Sequence, residues 1–278
     1  MRIGGEAGLE EMSRKLFGSS FGEMQSEEIL TPDGLLLCGF RSDRADLIEL
    51  WSKARSLHSE TGLWPIISHD GPRTWEWFPE ETRRGRRSVD HDEAGGSEGT
   101  PEGVIAELVD AVWKGEEGCS GYRTAFGGID LAELVAKIEE VPTPADPRSE
   151  NIRFMAGFMG KPEWLCLIPA ENSWQLPVLL DAPDTPNWLG SSTHPSLTLA
   201  DHASVLESWH RRFGAEVFYL GSRELGLTVT RPPTDPLIVA ETAIEHWSFC
   251  YDLDQIIGDI AKVGKLQVPA DHWLFWWD

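Results

Sequence analysis

The chain has 278 residues, 41% of them hydrophobic, which is enough for a sizeable core in one large domain or two ordinary ones. Its formal charge is −22, with 30 acidic and 16 basic side chains in residues 1–150 and 16 and 8 in residues 151–278. Acidity spread over both halves repels nucleic acid and anionic membranes, and suits a soluble protein or one that binds a basic partner. No apolar run approaches the length that spans a bilayer, and no basic segment followed by an apolar one opens the chain. Cys38, Cys119, Cys166 and Cys250 lie far apart with no Cys-x-x-Cys, as in a reduced cytoplasmic protein.

Residues 1–30 read as a loose segment with one helix around Leu9 to Phe17. Leu35 to Phe40 follows a Pro-Asp-Gly turn and reads as a strand. Asp43 is placed to cap a helix whose apolar positions run from Leu47 to Leu57, and Leu63 to Ser68 reads as a second strand. Residues 82–103 combine four arginines with acidic and Gly-rich stretches, a composition expected to form a mobile loop. Val104 to Lys114 and Asp130 to Glu140 have helical periodicity, and they complete an N-terminal α/β subdomain over 31–141. The Pro-rich stretch in 142–150 is the expected linker to a second domain over 151–278.

In that second half, Trp164 to Pro169 reads as a buried strand and Trp174 to Leu180 as an edge strand containing Pro177. Asp201 is expected to cap a helix that Gly214 ends, before strands at Glu216 to Leu220 and Leu225 to Thr230. Asp235-Pro236 marks another helix start, and Ile256 to Ile260 one more helix. Trp273-Leu274-Phe275-Trp276-Trp277-Asp278 ends the chain and is too apolar to be left in water, so it is expected to be a docked closing strand with aromatics on both faces. The whole reads as an α/β fold, with α+β as the alternative, built on a mixed sheet with flanking helices. Helix, tryptophan and strand recur over 45–68 and 200–220, as two generic α/β units or a duplication would.

The second half resembles the bacterial DUF4253 family, a domain of unknown function. The matching residues are Leu167 to Ala170 with Trp174, Trp209 with Phe213 to Glu216, and Arg231-Pro232-Pro233. The helix bearing Glu241 and Glu245, then Cys250, Asp252 and the Phe275 to Asp278 ending, complete the resemblance over 164–278. Thr61 to Pro65 is similar to a stretch that precedes the domain in relatives. The resemblance implies no reaction.

Walker A, G-x-G-x-x-G and H-E-x-x-H are all absent, so no motif implies a cofactor or metal. The main chemical candidates are Glu241, Glu245, His246, Cys250 and Asp252. Glu241 with Glu245 and His246 with Cys250 are i,i+4 pairs, and carboxylate, imidazole and thiol together suit acid/base work or a transition metal. Helical Glu pairs are usually solvated, however, and Cys250 sits among aromatics like a core residue. His194, His202 and His210 are spaced too widely to share an ion. Trp174, Asn187 and Trp188 offer indole faces and an amide to a small ligand, or pin their loop to the core. Cys119 has no activating base nearby in sequence. The leading expectation is a non-catalytic protein of immunity or antitoxin type, neutralising a basic partner. A metal-dependent or acid/base enzyme centred on Glu241 to Asp252 and a ligand-binding module on the Trp174 to Trp188 loop are the alternatives.

Overall fold

The computed structural model describes residues 6–18, 26–30, 34–42, 47–69, 71–72, 100–114, 130–143, 163–183 and 199–278. Asp43, the loop up to residue 99, Cys119, most of the Pro-rich stretch, Asn187, Trp188 and His194 lie outside them.

The fold is α/β, organised on one open, mixed seven-stranded sheet. In chain order the strands are β1 (Ser26–Leu30), β2 (Leu36–Arg41), β3 (Leu63–Ser68), β4 (Trp164–Pro169), β5 (Ala215–Leu220), β6 (Glu224–Val229) and β7 (His272–Trp276). Their spatial order is β1-β2-β4-β3-β5-β6-β7, so β1 and β7 are the edges. Only β3 and β5 pair in parallel, and every other neighbour is antiparallel. β4 lies between β2 and β3, pairing Cys38 with Leu167 on one side and Ile66 with Cys166 on the other. The segment after residue 163 therefore shares its sheet with strands from the first 70 residues.

Because side chains alternate along a strand, each central strand feeds two cores. Trp164, Cys166 and Ile168 of β4 join Trp64, Val217, Leu225 and Leu227 in the larger core. Leu165 and Leu167 join Phe40, Ile67 and Phe218 in the other. The smaller core is covered by α1 (Glu6–Phe17) and α2 (Leu47–Ser56), through Met12, Leu16, Leu50 and Trp51. A short helix α3 (His58–Thr61) follows, ended by Gly62 in the left-handed region.

The larger core is covered by α4 (Pro101–Lys114), α5 (Leu131–Glu140), α7 (Leu199–Phe213) and α8 (Pro236–Phe249), with a short α6 (Leu176–Leu180) beside them. Asp130 caps α5 by accepting the Glu133 N–H, and Asp235 caps α8 by accepting from Leu237 and Ile238 with Pro236 in the first turn. α8 is buried along most of its length, including Glu245, His246 and Trp247, as expected of a helix walled in by α4, α5, α7 and the sheet.

Three local expectations are corrected. Trp174 to Leu180 is not an edge strand: Ser173–Gln175 is a 3₁₀ turn leading into α6. Asn172 and Gln175 form a reciprocal capping box, and Pro177 sits in the first turn of α6, where its missing N–H costs nothing. Asp201 does not cap α7, because the helix already runs from Leu199 and places it in the first turn. Ile256 to Ile260 is not one helix. α9 (Leu253–Ile256) and α10 (Ile260–Lys262) are separated by Gly258 at φ 110°, and α10 runs on into a π turn over Val263–Gln267. The aromatics of β7 divide between its faces: Trp273 and Phe275, with Trp277 just beyond the strand, enter the larger core, while half-buried Trp276 lies on the face of Leu274, which enters the smaller one. No described helix is long and apolar enough to cross a membrane.

Candidate functional site

The chemistry-bearing residues of α8 leave the helix in three directions. Glu245 points toward α7. Its Oε2 accepts from Trp209 Nε1 at 2.8 Å, and Arg212 Nη1 donates to Oε1 at 2.8 Å and to Oε2 at 2.9 Å. Burial pushes its carboxyl up from the ordinary value, and Arg212 and the Trp209 hydrogen bond pull it back. Glu241, one turn earlier, is exposed.

His246 points inward, wholly buried in an aromatic cage. Its ring centroid lies 4.8 Å from Trp209, 4.4 Å from Trp273 and 5.1 Å from Phe275. Its tautomer can be deduced. Gln267 Oε1 accepts the Leu274 N–H at 3.2 Å, which fixes the amide so that Gln267 Nε2 donates to His246 Nδ1 at 3.3 Å. The proton therefore sits on Nε2, which has no hydrogen-bond partner among the described residues. Burial holds this imidazole neutral, well below the usual histidine range.

Cys250 and Asp252 point toward the end of the chain. The helix stops at Phe249, and Cys250 turns to an extended backbone at φ −144°. Its thiol donates to the Trp276 carbonyl at 3.1 Å, and burial raises it well above the ordinary thiol value, so it is no ready thiolate. Asp252 accepts the Asp278 N–H at 2.9 Å and Gln255 Nε2 at 3.0 Å. Cys250, Asp252 and Gln267 thus form a clasp on the terminal strand, separate from the Glu245 ion pair. Among the described residues no three His, Cys, Asp or Glu side chains are grouped to hold a metal ion.

The other candidates are similarly placed. His202 is buried, 5.0 Å ring to ring from Phe249. His210 Nδ1 lies 3.1 Å from the Ala215 carbonyl and its ring 4.8 Å from that of Trp174, which therefore pins its turn to α7.

The structure does form a cleft on α8. About 290 Å³ in volume, it lies between α4, α7 and α8 and brings together Glu241, Glu245 and Arg212 with Glu102, Ile105, Ala106, Val109 and Ile244. Of the α8 candidates only the two glutamates reach it. Arg212 and Trp209 were missing from the sequence expectation, since no local spacing links positions 33 and 36 residues from Glu245. The signal available for Arg212 was weak: a basic residue one turn after a tryptophan at a helix end.

Glu216 carries a second set of contacts. It takes Arg55 Nε at 2.9 Å and Nη2 at 2.8 Å, a two-point pair in which the guanidinium lies 4.0 Å over the Trp64 ring. Trp64 Nε1 in turn donates to the Val217 carbonyl at 3.2 Å. The Thr61 to Pro65 stretch and the Phe213 to Glu216 stretch are thus linked through Arg55.

Comparison with curated proteins and with solved structures returned no match. Residues 164–278, from the first residue of β4 to the end of the chain, match the family model of DUF4253, a domain of unknown function.

Proposed function

We propose that the protein is a non-catalytic binding protein for a basic protein partner, acting in the cytoplasm in the manner of an immunity or antitoxin factor. The observation that carries this reading is the exposed surface of α4, α5 and α8. Its described carboxylates are Glu102, Glu107, Glu133, Glu139, Glu140 and Glu241, against Lys137, which is itself paired with Glu133 at 2.9 Å. In the first turn of α8, Leu237 and Ile238 are 52% and 41% exposed. Apolar anchors rimmed by one sign of charge are what a complementary protein surface uses, whereas acidity serving solubility alone needs no exposed aliphatic pair. The commitment of Cys250 and Asp252 to the terminal strand supports the non-catalytic part of the reading, and three buried free thiols suit a reducing compartment.

The test is capture from the source cell followed by reconstitution with the purified partner. A stoichiometric basic protein is expected, bound less tightly at high salt and lost with Leu237→Asp or Ile238→Asp, both exposed enough to leave folding intact. Recovery of no such partner at low salt, or a partner indifferent to both substitutions, refutes the proposal.

A further inference from the structure

The cleft between α4, α7 and α8 has a feature that the docking surface does not use. An arginine paired with a carboxylate commonly meets it fork to fork, two donors to two oxygens. Arg212 does not: Nη1 alone reaches both oxygens of Glu245. Its Nε and Nη2 make no hydrogen bond to any described residue, and the side chain is 29% exposed where it lines the cleft. The Glu245 pair and the Phe213 ring, 4.6 Å from the guanidinium carbon, thus hold in place an arginine that has donors to spare beside the cleft.

The rest of the lining narrows what would accept them. Glu102 and Glu241 add two carboxylates that Arg212 does not neutralise, so a phosphate ester or dicarboxylate would meet net repulsion. A plain alkylamine would satisfy Glu241 and leave the arginine donors unused. Ile105, Val109 and Ile244 form an aliphatic wall suited to a short hydrocarbon chain. At about 290 Å³ the cleft is at the small end of ligand sites, which run from about 300 Å³ upward.

We propose that this cleft binds an aliphatic α-amino acid, its carboxylate on the free donors of Arg212, its ammonium on Glu241 and its side chain against Ile105, Val109 and Ile244. One zwitterion answers both charges and the apolar wall.

The test is calorimetric titration of the full chain with L-leucine, alongside isoamylamine, which lacks the carboxylate, and isocaproate, which lacks the ammonium. Saturable leucine binding is expected, with each comparator weaker by about tenfold or more, the size of one lost charge-assisted bond. Glu241→Gln, at an exposed position, is expected to weaken leucine by a similar factor. Arg212→Lys keeps a cation for Glu245 but removes the spare donors, and is expected to lose the preference for leucine over isoamylamine. No saturable leucine binding at millimolar concentration, comparators that bind as well as leucine, or unchanged affinity in Glu241→Gln would each overturn the proposal. None of these readouts involves the basic partner, so this site and the docking surface fail or succeed separately.

Discussion

Removal of residues 273–278 is predicted to unfold the protein rather than trim it. Trp273, Phe275 and Trp277 are each fully buried, and they pack around Trp209 and Phe249, with the Trp209 and Phe275 rings stacked at 5.4 Å. An aromatic side chain buries about 150–250 Å², which at about 25 cal/mol per Å² is about 4–6 kcal/mol each and about 11–19 kcal/mol for three. An unfolded chain that already hides part of this surface lowers the sum to about 7–17 kcal/mol. A domain's whole stability is about 5–15 kcal/mol, so the strand carries as much free energy as the fold has to spare. Single replacements give a graded check, with Trp277→Ala expected to cost about 3–5 kcal/mol. The assay is urea unfolding followed by tryptophan fluorescence and circular dichroism. A truncated protein that stays soluble and melts cooperatively would refute this account of the core.

Three further outcomes are expected. Arg212→Ala leaves the Glu245 carboxylate buried with only Trp209 for company, and should cost about 2–4 kcal/mol in chemical denaturation, below the full loss for a buried pair because Arg212 is 29% exposed. Arg212→Met with Glu245→Gln should recover most of it, since the amide oxygen can still accept from Trp209; a double variant as unstable as the single would count against the ion-pair account.

His246 should appear by nitrogen NMR as the neutral Nε2–H tautomer and should not titrate near pH 6.5. Because the unfolded chain takes up a proton there that the folded chain refuses, stability should fall as pH drops below about 6.5. Glu245 acts with the opposite sign: its raised carboxyl favours the folded state on acidification, in the window above about 4.5, so Glu245→Gln should steepen the acid loss. A His246 that titrates normally would contradict the caged tautomer.

Gly214 holds φ 64° at the end of α7, and a Cβ there would strike Thr230 Oγ1. Gly214→Ala is therefore expected to lower stability by about 1–2 kcal/mol or more in thermal melts, and an unchanged midpoint would argue against the tight α7–β5 turn.

The elements that sequence predicts well are those whose signal is local. β4 and β7 are short apolar runs, α5 and α8 carry their own caps in Asp130 and Asp235, and Gly214 ends α7 because only glycine enters the left-handed region cheaply. Trp174 to Leu180 misleads because Leu176, Val178 and Leu180 alternate as in a strand, while the deciding contacts are the Asn172–Gln175 box and the Pro177 position. The insertion of β4 between β2 and β3 depends on pairing across about a hundred residues, which no local pattern encodes.

The same holds for the candidate residues. Spacing puts Glu241 and Glu245 on one cleft correctly, because both sit within a regular helix. Spacing alone does not carry from His246 to Cys250, because the helix ends between them and the backbone swings out. The clasp of Cys250, Asp252 and Gln267 can be read only once the terminal strand is in place.

That clasp bears on an exposed edge of the sheet. β7 is an edge, and its odd-numbered neighbourhood faces β6, since Asp271 accepts from Val229 and Trp277 donates to Arg223. The backbone groups of Leu274 and Trp276 therefore face outward, where they would template another strand. Gln267 occupies the first and Cys250 the second. A side-chain amide and a thiol thus stand in for the strand that is missing from this edge. On the far edge, β1 carries Glu27 and Glu28, whose charge discourages the same pairing. Loss of Cys250 or Gln267 would then show less as a drop in melting temperature than as concentration-dependent self-association, with copies joining edge to edge along an aromatic strand.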